Sequence, residues 1–210
     1  MMIVGRSNLR MVRKEYSAGA VKMSFWFVEF CKAVHLLDAG KNMDEVKYFA
    51  LNENLFAAPT PLRAKQIFST VSGRIKALDE SFLPVFMAGD LPTQKLIALI
   101  AAMAYDTLFF DFVYEVIREK LILGSNELVD SDVRIFLKDK QQQSDKVVNW
   151  TDATLVRLGR CYKTMLYEAG VIDKGKPARK IFLPILDPEL IRWLEKNDMG
   201  VYIKALTGVQ

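Results

Sequence analysis

Apolar residues recur at the spacing of an α-helix along the chain. In the clearest stretch, 61–78, they fall three, four, seven, eleven and fourteen positions after the first one. The residues concerned are Ala64, Ile67, Phe68, Val71, Ile75 and Leu78. This spacing predicts a helix with one apolar face, opened by Pro61.

Capping signals divide the first part of the chain into helices. Ser24 predicts the start of a helix that runs toward Gly40, and Asn42 predicts the start of a second, shorter helix. Short connections join these two helices to each other and to the helix after Pro61. They predict a helix-turn-helix-like bundle within residues 1–88.

The middle of the chain is strongly apolar. Two helices are predicted there, at about 93–105 and 107–123, and the second ends at Gly124. The most apolar run, 96–104, is nine residues long, whereas a membrane-spanning helix needs about 20. A buried helical pair is therefore predicted at 89–128, rather than a membrane span.

The stretch from Thr151 to Leu183 predicts a winged helix. An amphipathic helix starts at Thr151 or Asp152 and stops at Gly170. A hairpin with a basic tip at 173–180 and the strand IFLPIL follow. The segment 124–130 before this region has the composition of a loop.

Two further helices complete the C-terminal part. One is capped by Asp130 or Ser131, and the last one begins at Asp187-Pro188-Glu189, a cap followed by a proline and an acid. The predicted fold is mainly α, with three units. These are an N-terminal helix-turn-helix-like bundle (1–88), a central apolar helical pair (89–128) and a C-terminal winged-helix-like region with one small β-hairpin (129–210).

Charge is distributed unevenly along the chain, although its net value is only +4. Residues 1–80 carry 12 Lys or Arg against 8 Asp or Glu, and residues 130–180 carry 11 against 7. Residues 81–129 carry 3 against 6. Two basic regions thus flank an acidic middle, as expected of two binding surfaces joined by a structural core.

The predicted wing helix and hairpin tip carry the main candidate DNA contacts. On the helix, the cations and hydroxyls lie roughly opposite the apolar face and suit phosphates or base edges. At the tip, four cations stand against one anion, Asp173. The candidate residues are Arg157, Arg160, Lys163, Thr164 and Tyr167 on the helix, and Lys174, Lys176, Arg179 and Lys180 at the tip.

A second group of candidate DNA contacts lies on the helix after Pro61. Arg63 and Arg74 are eleven residues apart and are predicted to share one flank, while Lys65 and Lys76 share the other. Such cations serve DNA contact and plain solubility equally well. The sequence does not separate the two roles.

Candidate chemistry is sparse. The single histidine, His35, lies in an apolar helix without a paired nucleophile. Cys31 and Cys161 stand far apart without a CxxC context, which argues against a disulfide or zinc site and fits a reducing cytoplasm. No catalytic residue, metal or cofactor is predicted, and an enzyme is the least favoured class.

Five segments together carry a resemblance to a known family. They are YSAGAVKMSF (16–25), NLFAAPTPLRAKQIF (54–68), FFDFVYEVIREKLILGSNELVDSDV (109–133), WTDAT (150–154) and ILDPEL (185–190). From about Tyr16 to Leu206 the chain resembles the BrxA family, a small component of BREX bacteriophage-defence systems. One departure is Thr107, where many members carry arginine.

The resemblance implies a mostly helical, non-enzymatic protein that binds double-stranded DNA, with a fold related to NusB. It also implies work beside a DNA methyltransferase, a large ATPase and a phosphatase-like protein. The leading hypothesis is a cytoplasmic DNA-binding accessory protein with weak sequence preference. Two alternatives remain: a scaffold that docks the methyltransferase or ATPase without touching DNA, and NusB-like RNA binding.

Overall fold

Helices make up most of residues 14–209, the part that the computed structural model describes. The first thirteen residues of the predicted N-terminal unit, and Gln210, lie outside the described residues. The N-terminal elements are a 3-10 helix (Ala18–Lys22), α1 (Phe27–Asp38), α2 (Met43–Asn52), α3 (Pro61–Ile75) and α4 (Phe82–Ala88).

The central elements are α5 (Leu91–Tyr105), α6 (Thr107–Phe112), a π-helical stretch (Val113–Ile117) and α7 (Arg118–Ile122). The C-terminal elements are β1 (Glu127–Val129), α8 (Asp130–Gln143), α9 (Asp152–Glu168), β2 (Ala178–Lys180), α10 (Pro188–Lys196) and α11 (Gly200–Thr207). The prediction of a mainly helical fold with one small antiparallel sheet is confirmed.

Helix starts with strong local signals lie where the sequence predicts them. Asn42 accepts the N–H groups of Asp44 and Glu45, and the Glu45 carboxylate accepts the N–H of Asn42. Thr151 caps α9 and Asp187 caps α10 through side-chain oxygens. These three predicted starts are confirmed because each cap depends on residues only two or three positions away.

The predicted start of α1 at Ser24 is wrong. The helix begins at Phe27, after Trp26 with a left-handed backbone at φ 51°. The carbonyls of Ser24 and Phe25 instead accept hydrogen bonds from the guanidinium of Arg74 on α3. These long-range bonds hold the residues before Trp26 outside the helix.

The small sheet differs from the predicted hairpin. β2 pairs antiparallel with β1, with Leu128 opposite Arg179, so the predicted loop at 124–130 is wrong over the β1 residues. Across the tip, a single bridge joins Ile172 and Ile181. The basic tip therefore projects from a sheet whose main partner strand lies before α8.

An aromatic cluster joins α6, α8 and α9. The ring of Tyr162 lies 4.9 Å from that of Phe109 and 5.7 Å from that of Phe112, measured between centroids. Phe112 in turn contacts Phe136 at 5.4 Å. This cluster is part of a hydrophobic core whose buried members extend from Ala20 to Leu206. The division into three units stays a prediction.

Between residues 14 and 209, no single helix is long and apolar enough to cross a membrane. Helix α5 and the segment Thr107–Ile122 together have the length and apolar composition of a span, but the chain bends by 114° between them.

The end of α9 provides a test of the fold. Gly170 follows the helix with φ +81°, a conformation that costs other residues about 1–2 kcal/mol. Gly170→Ala is expected to lower the free energy of unfolding by about 1 kcal/mol in urea denaturation. Gly200→Ala, at the first residue of α11 with no atom within 4 Å of the added Cβ, should be neutral or stabilising. Equal shifts in both variants would contradict this assignment.

Candidate nucleic-acid interface

Helix α9 presents a polar face to solvent. Leu155, Leu158 and Tyr162 are buried, and the exposed residues on the other side are Arg157, Arg160, Thr164 and Tyr167. We call these four residues the basic face. Arg157 and Arg160 form no ion pair with any residue in 14–209. The hydroxyl of Thr164 donates to the carbonyl of Arg160 at 2.9 Å, so its proton is used within the helix.

The wing tip, residues 173–180, lies against the C-terminal end of this face. The ammonium of Lys174 is 4.7 Å from the centroid of the Tyr167 ring, and that of Lys180 is 5.6 Å from the Phe182 ring. Lys176 is exposed. The contact between Lys174 and Tyr167 makes the wing tip and the basic face adjoining parts of one surface.

Asp130 holds two of the predicted DNA contacts. Its Oδ1 accepts from Lys163 Nζ at 2.6 Å and from Arg179 Nη1 at 2.9 Å. The side chains of Lys163 and Arg179 are only 14% and 15% exposed. The hydrogen bond from Lys163, above all, lowers the pKa of the Asp130 carboxyl, and Arg179 adds to the effect. Both cations are therefore mainly engaged in tying α9 and β2 to the start of α8.

A groove between α8 and α9 adds cations that the sequence analysis missed. Its volume is about 340 Å³ and its floor includes Val133 and Gly159. A Cβ on Gly159 would lie 2.7 Å from Val133 Cγ1, so the helices approach closely there. Arg134 and Lys138 of α8 line this groove together with α9 residues, but Lys138 Nζ is paired with Asp152 Oδ1 at 2.7 Å. Their spacing of four on a helix is the signal that places them on one side.

The N-terminal cations fall into different environments. The guanidinium carbon of Arg63 lies 4.9 Å from the centroid of the Trp26 ring, and Lys65 and Lys76 are exposed. Trp26 and Tyr167 both line a second groove of about 510 Å³. The N-terminal region and the basic face therefore meet at one groove.

Carboxylates also line that second groove. Glu29 and Glu168 contribute to its wall, together with Lys95. Partial burial raises the pKa of Glu168, and Lys95 opposes the rise. The basic surface is consequently interrupted between Arg63 and Tyr167, which makes α9 and the wing tip the stronger part of the candidate interface.

The predicted placement of Arg74 on an exposed flank is wrong. Its side chain is 3% exposed, and its guanidinium donates to the carbonyls of Phe25 and Ser24 and to Met165 Sδ. Burial lowers the pKa of Arg74 to about 10, against the attraction of Asp106. Arg74 therefore stays charged at neutral pH, and its hydrogen bonds stabilise the interior of the protein. Its position three after Val71 and four before Leu78 puts it in the buried stripe of α3.

Candidate catalytic groups are sparse in the structure. Within residues 14–209, no group of three or more His, Cys, Asp or Glu side chains is placed to hold a metal ion. Burial raises the pKa of the Cys31 thiol to about 11 and also raises that of Cys161, so both thiols are predominantly protonated at neutral pH. His35 is exposed on α1.

The fold and this surface define a mainly helical protein with a small sheet and a basic helix on its outside. A family model described as BrxA matches residues 14–198, and the chain therefore belongs to the BrxA family. It is 36% identical over 199 residues to the BREX protein BrxA of Bacillus cereus (strain H3081.97), covering 94% of this chain and 100% of that protein.

Two more distant similarities were found, one to a curated protein and one to a solved structure. The BREX protein BrxA of Paramagnetospirillum magneticum (strain ATCC 700264 / AMB-1) is 22% identical over 171 residues, covering 81% of this chain and 85% of that protein. The crystal structure of an uncharacterized protein from Magnetospirillum magneticum superposes with a TM-score of 0.78 at 21% identity. The match covers 93% of this chain and 100% of that one, and it shows a shared fold.

The interior role of Arg74 predicts a loss of stability on truncation. Arg74→Ala leaves two backbone carbonyls without their donors and is expected to lower the free energy of unfolding by about 2–4 kcal/mol. Lys76→Ala, at an exposed position two residues on, should stay within about 0.5 kcal/mol of the parent. Urea denaturation followed by circular dichroism measures both. An Arg74→Ala protein as stable as Lys76→Ala would refute the interior role.

The ion pairs of Asp130 predict a pH-dependent stability. Because folding lowers the pKa of this carboxyl, its contribution is complete above the unfolded pKa of about 3.9 and is lost as pH falls through the folded value. Asp130→Asn is expected to cost about 0.5–1 kcal/mol at neutral pH, a small figure because the carboxylate is largely exposed. The cost should shrink as pH falls below about 3.9 and should vanish only below the folded pKa of Asp130, as measured by denaturation.

Asp139→Asn is the matched control for this experiment. Asp139 is exposed on the same helix and forms no ion pair with residues 14–209. Its substitution should produce no comparable pH-dependent difference. An equal dependence in the two variants would show that loss of a charge from α8, rather than of the pairs with Lys163 and Arg179, is responsible.

Proposed function

We propose that the chain is a non-enzymatic double-stranded DNA-binding accessory protein of a BREX system. The observation that carries the proposal is the basic face of α9 beside the wing tip. Arg157 and Arg160 are exposed without an ion pair among residues 14–209. Lys174 and Lys176 are exposed on the wing tip, where Lys174 contacts Tyr167 of the basic face. Cations placed in this way suit the phosphates of a duplex, which supply most of the non-specific affinity.

The order of elements supports the same proposal. β1, α8, α9 and β2 follow one another, and Ile172, between α9 and β2, forms a bridge with Ile181, directly after β2. This is the order of a winged helix-turn-helix, in which the second helix enters the major groove. In that arrangement α9 is the recognition helix and residues 173–180 are the wing.

Weak sequence preference follows from the groups that the basic face offers. Specific readout needs side chains that pair with base edges in the groove. Arg157 and Arg160 can pair with guanine edges or with phosphates, while the hydroxyl of Thr164 already donates its proton to the backbone carbonyl of Arg160. Most of the remaining cations, including Arg134, suit phosphates and carry little sequence information.

The setting is proposed from the relatives' name, BREX protein BrxA. The partners implied for such a protein are a DNA methyltransferase, an ATPase and a phosphatase-like protein in the cytoplasm. A DNA-binding accessory role would bring these proteins to one duplex. Docking of partners without DNA, and binding of RNA, are the outcomes that the following experiment must separate.

The proposal predicts salt-dependent binding that depends on α9. Fluorescence anisotropy with a labelled mixed-sequence duplex should show affinity falling steeply between about 50 and 200 mM salt. Arg157→Ala/Arg160→Ala removes two cations and should lower the log–log salt slope by about 2, because each phosphate contact contributes about 0.9. Weaker binding at low salt should accompany the smaller slope.

The matched control is Lys47→Ala/Lys204→Ala, which removes two exposed cations from α2 and α11. It should keep the parental slope. Absence of binding at low salt, or equal slopes in the two double variants, would overturn the proposal. A duplex RNA competitor that displaces the DNA at lower concentration than unlabelled DNA would favour RNA as the ligand.

A further inference from the structure

The wing tip is organised by the side chain of Asp173. Its Oδ1 accepts the backbone N–H of Gly175 at 2.8 Å and the backbone N–H of Lys180 at 2.9 Å. The N–H of Asp173 donates in turn to the carbonyl of Lys180 at 3.1 Å. A single carboxylate oxygen thus ties the two ends of the tip together.

The turn inside this clamp is tight. A Cβ on Gly175 would lie 2.3 Å from the carbonyl oxygen of Ala178 and 2.9 Å from Asp173 Oδ1. A side chain at residue 175 would therefore collide with the backbone of the turn and with the clamp itself. The conformation that presents Lys174 and Lys176 depends on glycine at this position and on the two bonds to Asp173.

The electrostatic surroundings agree with a structural task for this carboxylate. The hydrogen bonds from Gly175 and Lys180 are the main causes that lower the pKa of Asp173, with smaller contributions from the charges of Lys180 and Arg179. No ion pair within 4.0 Å joins Asp173 to a cation of the tip in residues 14–209. The carboxylate therefore acts mainly on the backbone and leaves the lysine side chains free.

We propose that Asp173 is a positioning residue for the wing, which strengthens DNA binding by fixing the backbone that carries Lys174 and Lys176. This inference rests on the proposed DNA-binding function. The negative charge of Asp173 should by itself weaken DNA binding, because it repels phosphates. The two hydrogen bonds that Asp173 accepts should strengthen binding, since a tip that is already ordered loses less conformational entropy when it binds the duplex.

Two substitutions separate these effects. Asp173→Asn and Asp173→Ala remove the same charge, but the asparagine keeps an Oδ1 that can accept both N–H groups. Asp173→Asn should bind a mixed-sequence duplex at least as tightly as the parent. Asp173→Ala should bind about three- to tenfold more weakly than Asp173→Asn, as expected if the free tip holds the competent conformation only a tenth to a third of the time.

A measurement without DNA accompanies the binding assay. Amide hydrogen exchange at Gly175 and Lys180 should accelerate in Asp173→Ala and stay near parental in Asp173→Asn. Equal DNA affinity of Asp173→Asn and Asp173→Ala would overturn the inference. If the parent binds no duplex, the proposed function fails instead, and the exchange data still report whether Asp173 orders the tip.

Discussion

The packing of Tyr162 between Phe109 and Phe112 is the constraint on which the candidate surface depends. It fixes the rotation of α9 about its own axis, because a large ring locked against α6 cannot turn without opening the core. The residues opposite Tyr162 are consequently directed outward. Core packing alone therefore accounts for the exposure of Arg157 and Arg160, whatever they bind.

The cations of this chain divide into those that hold the fold and those that face solvent. Arg74 stabilises the segment before α1, and Lys140 pairs with Glu115 at 2.6 Å while largely buried. Lys163 and Arg179 tie α9 and β2 to the start of α8 through Asp130. The count of basic residues in a region therefore overstates the charge available to a ligand, and only the burial and pairing of each side chain correct it.

Local signals in the sequence predicted much of the helical structure, and long-range contacts account for most of what they missed. Thr151 caps α9 by accepting the N–H of Thr154, three residues further on, so the sequence alone predicts its role. Ser24 has the same local signal, but Arg74, fifty residues away, binds its carbonyl. β1 is three residues long and its partner strand comes after two helices, so nothing nearby marks it. Asp130 likewise reaches Lys163 and Arg179 only in the folded chain.

The antiparallel pairing of β1 with β2 has a consequence for how this surface is assembled. Leu128 stands opposite Arg179, and successive strand residues point to opposite sides of a sheet. A slip of the pairing by one residue would turn Arg179 away from Asp130 and present a neighbour in its place. The bond between Arg179 and Asp130 thus reports the register of two strands separated by α8 and α9. This ion pair therefore stabilises the observed register, in which the wing tip adjoins the basic face.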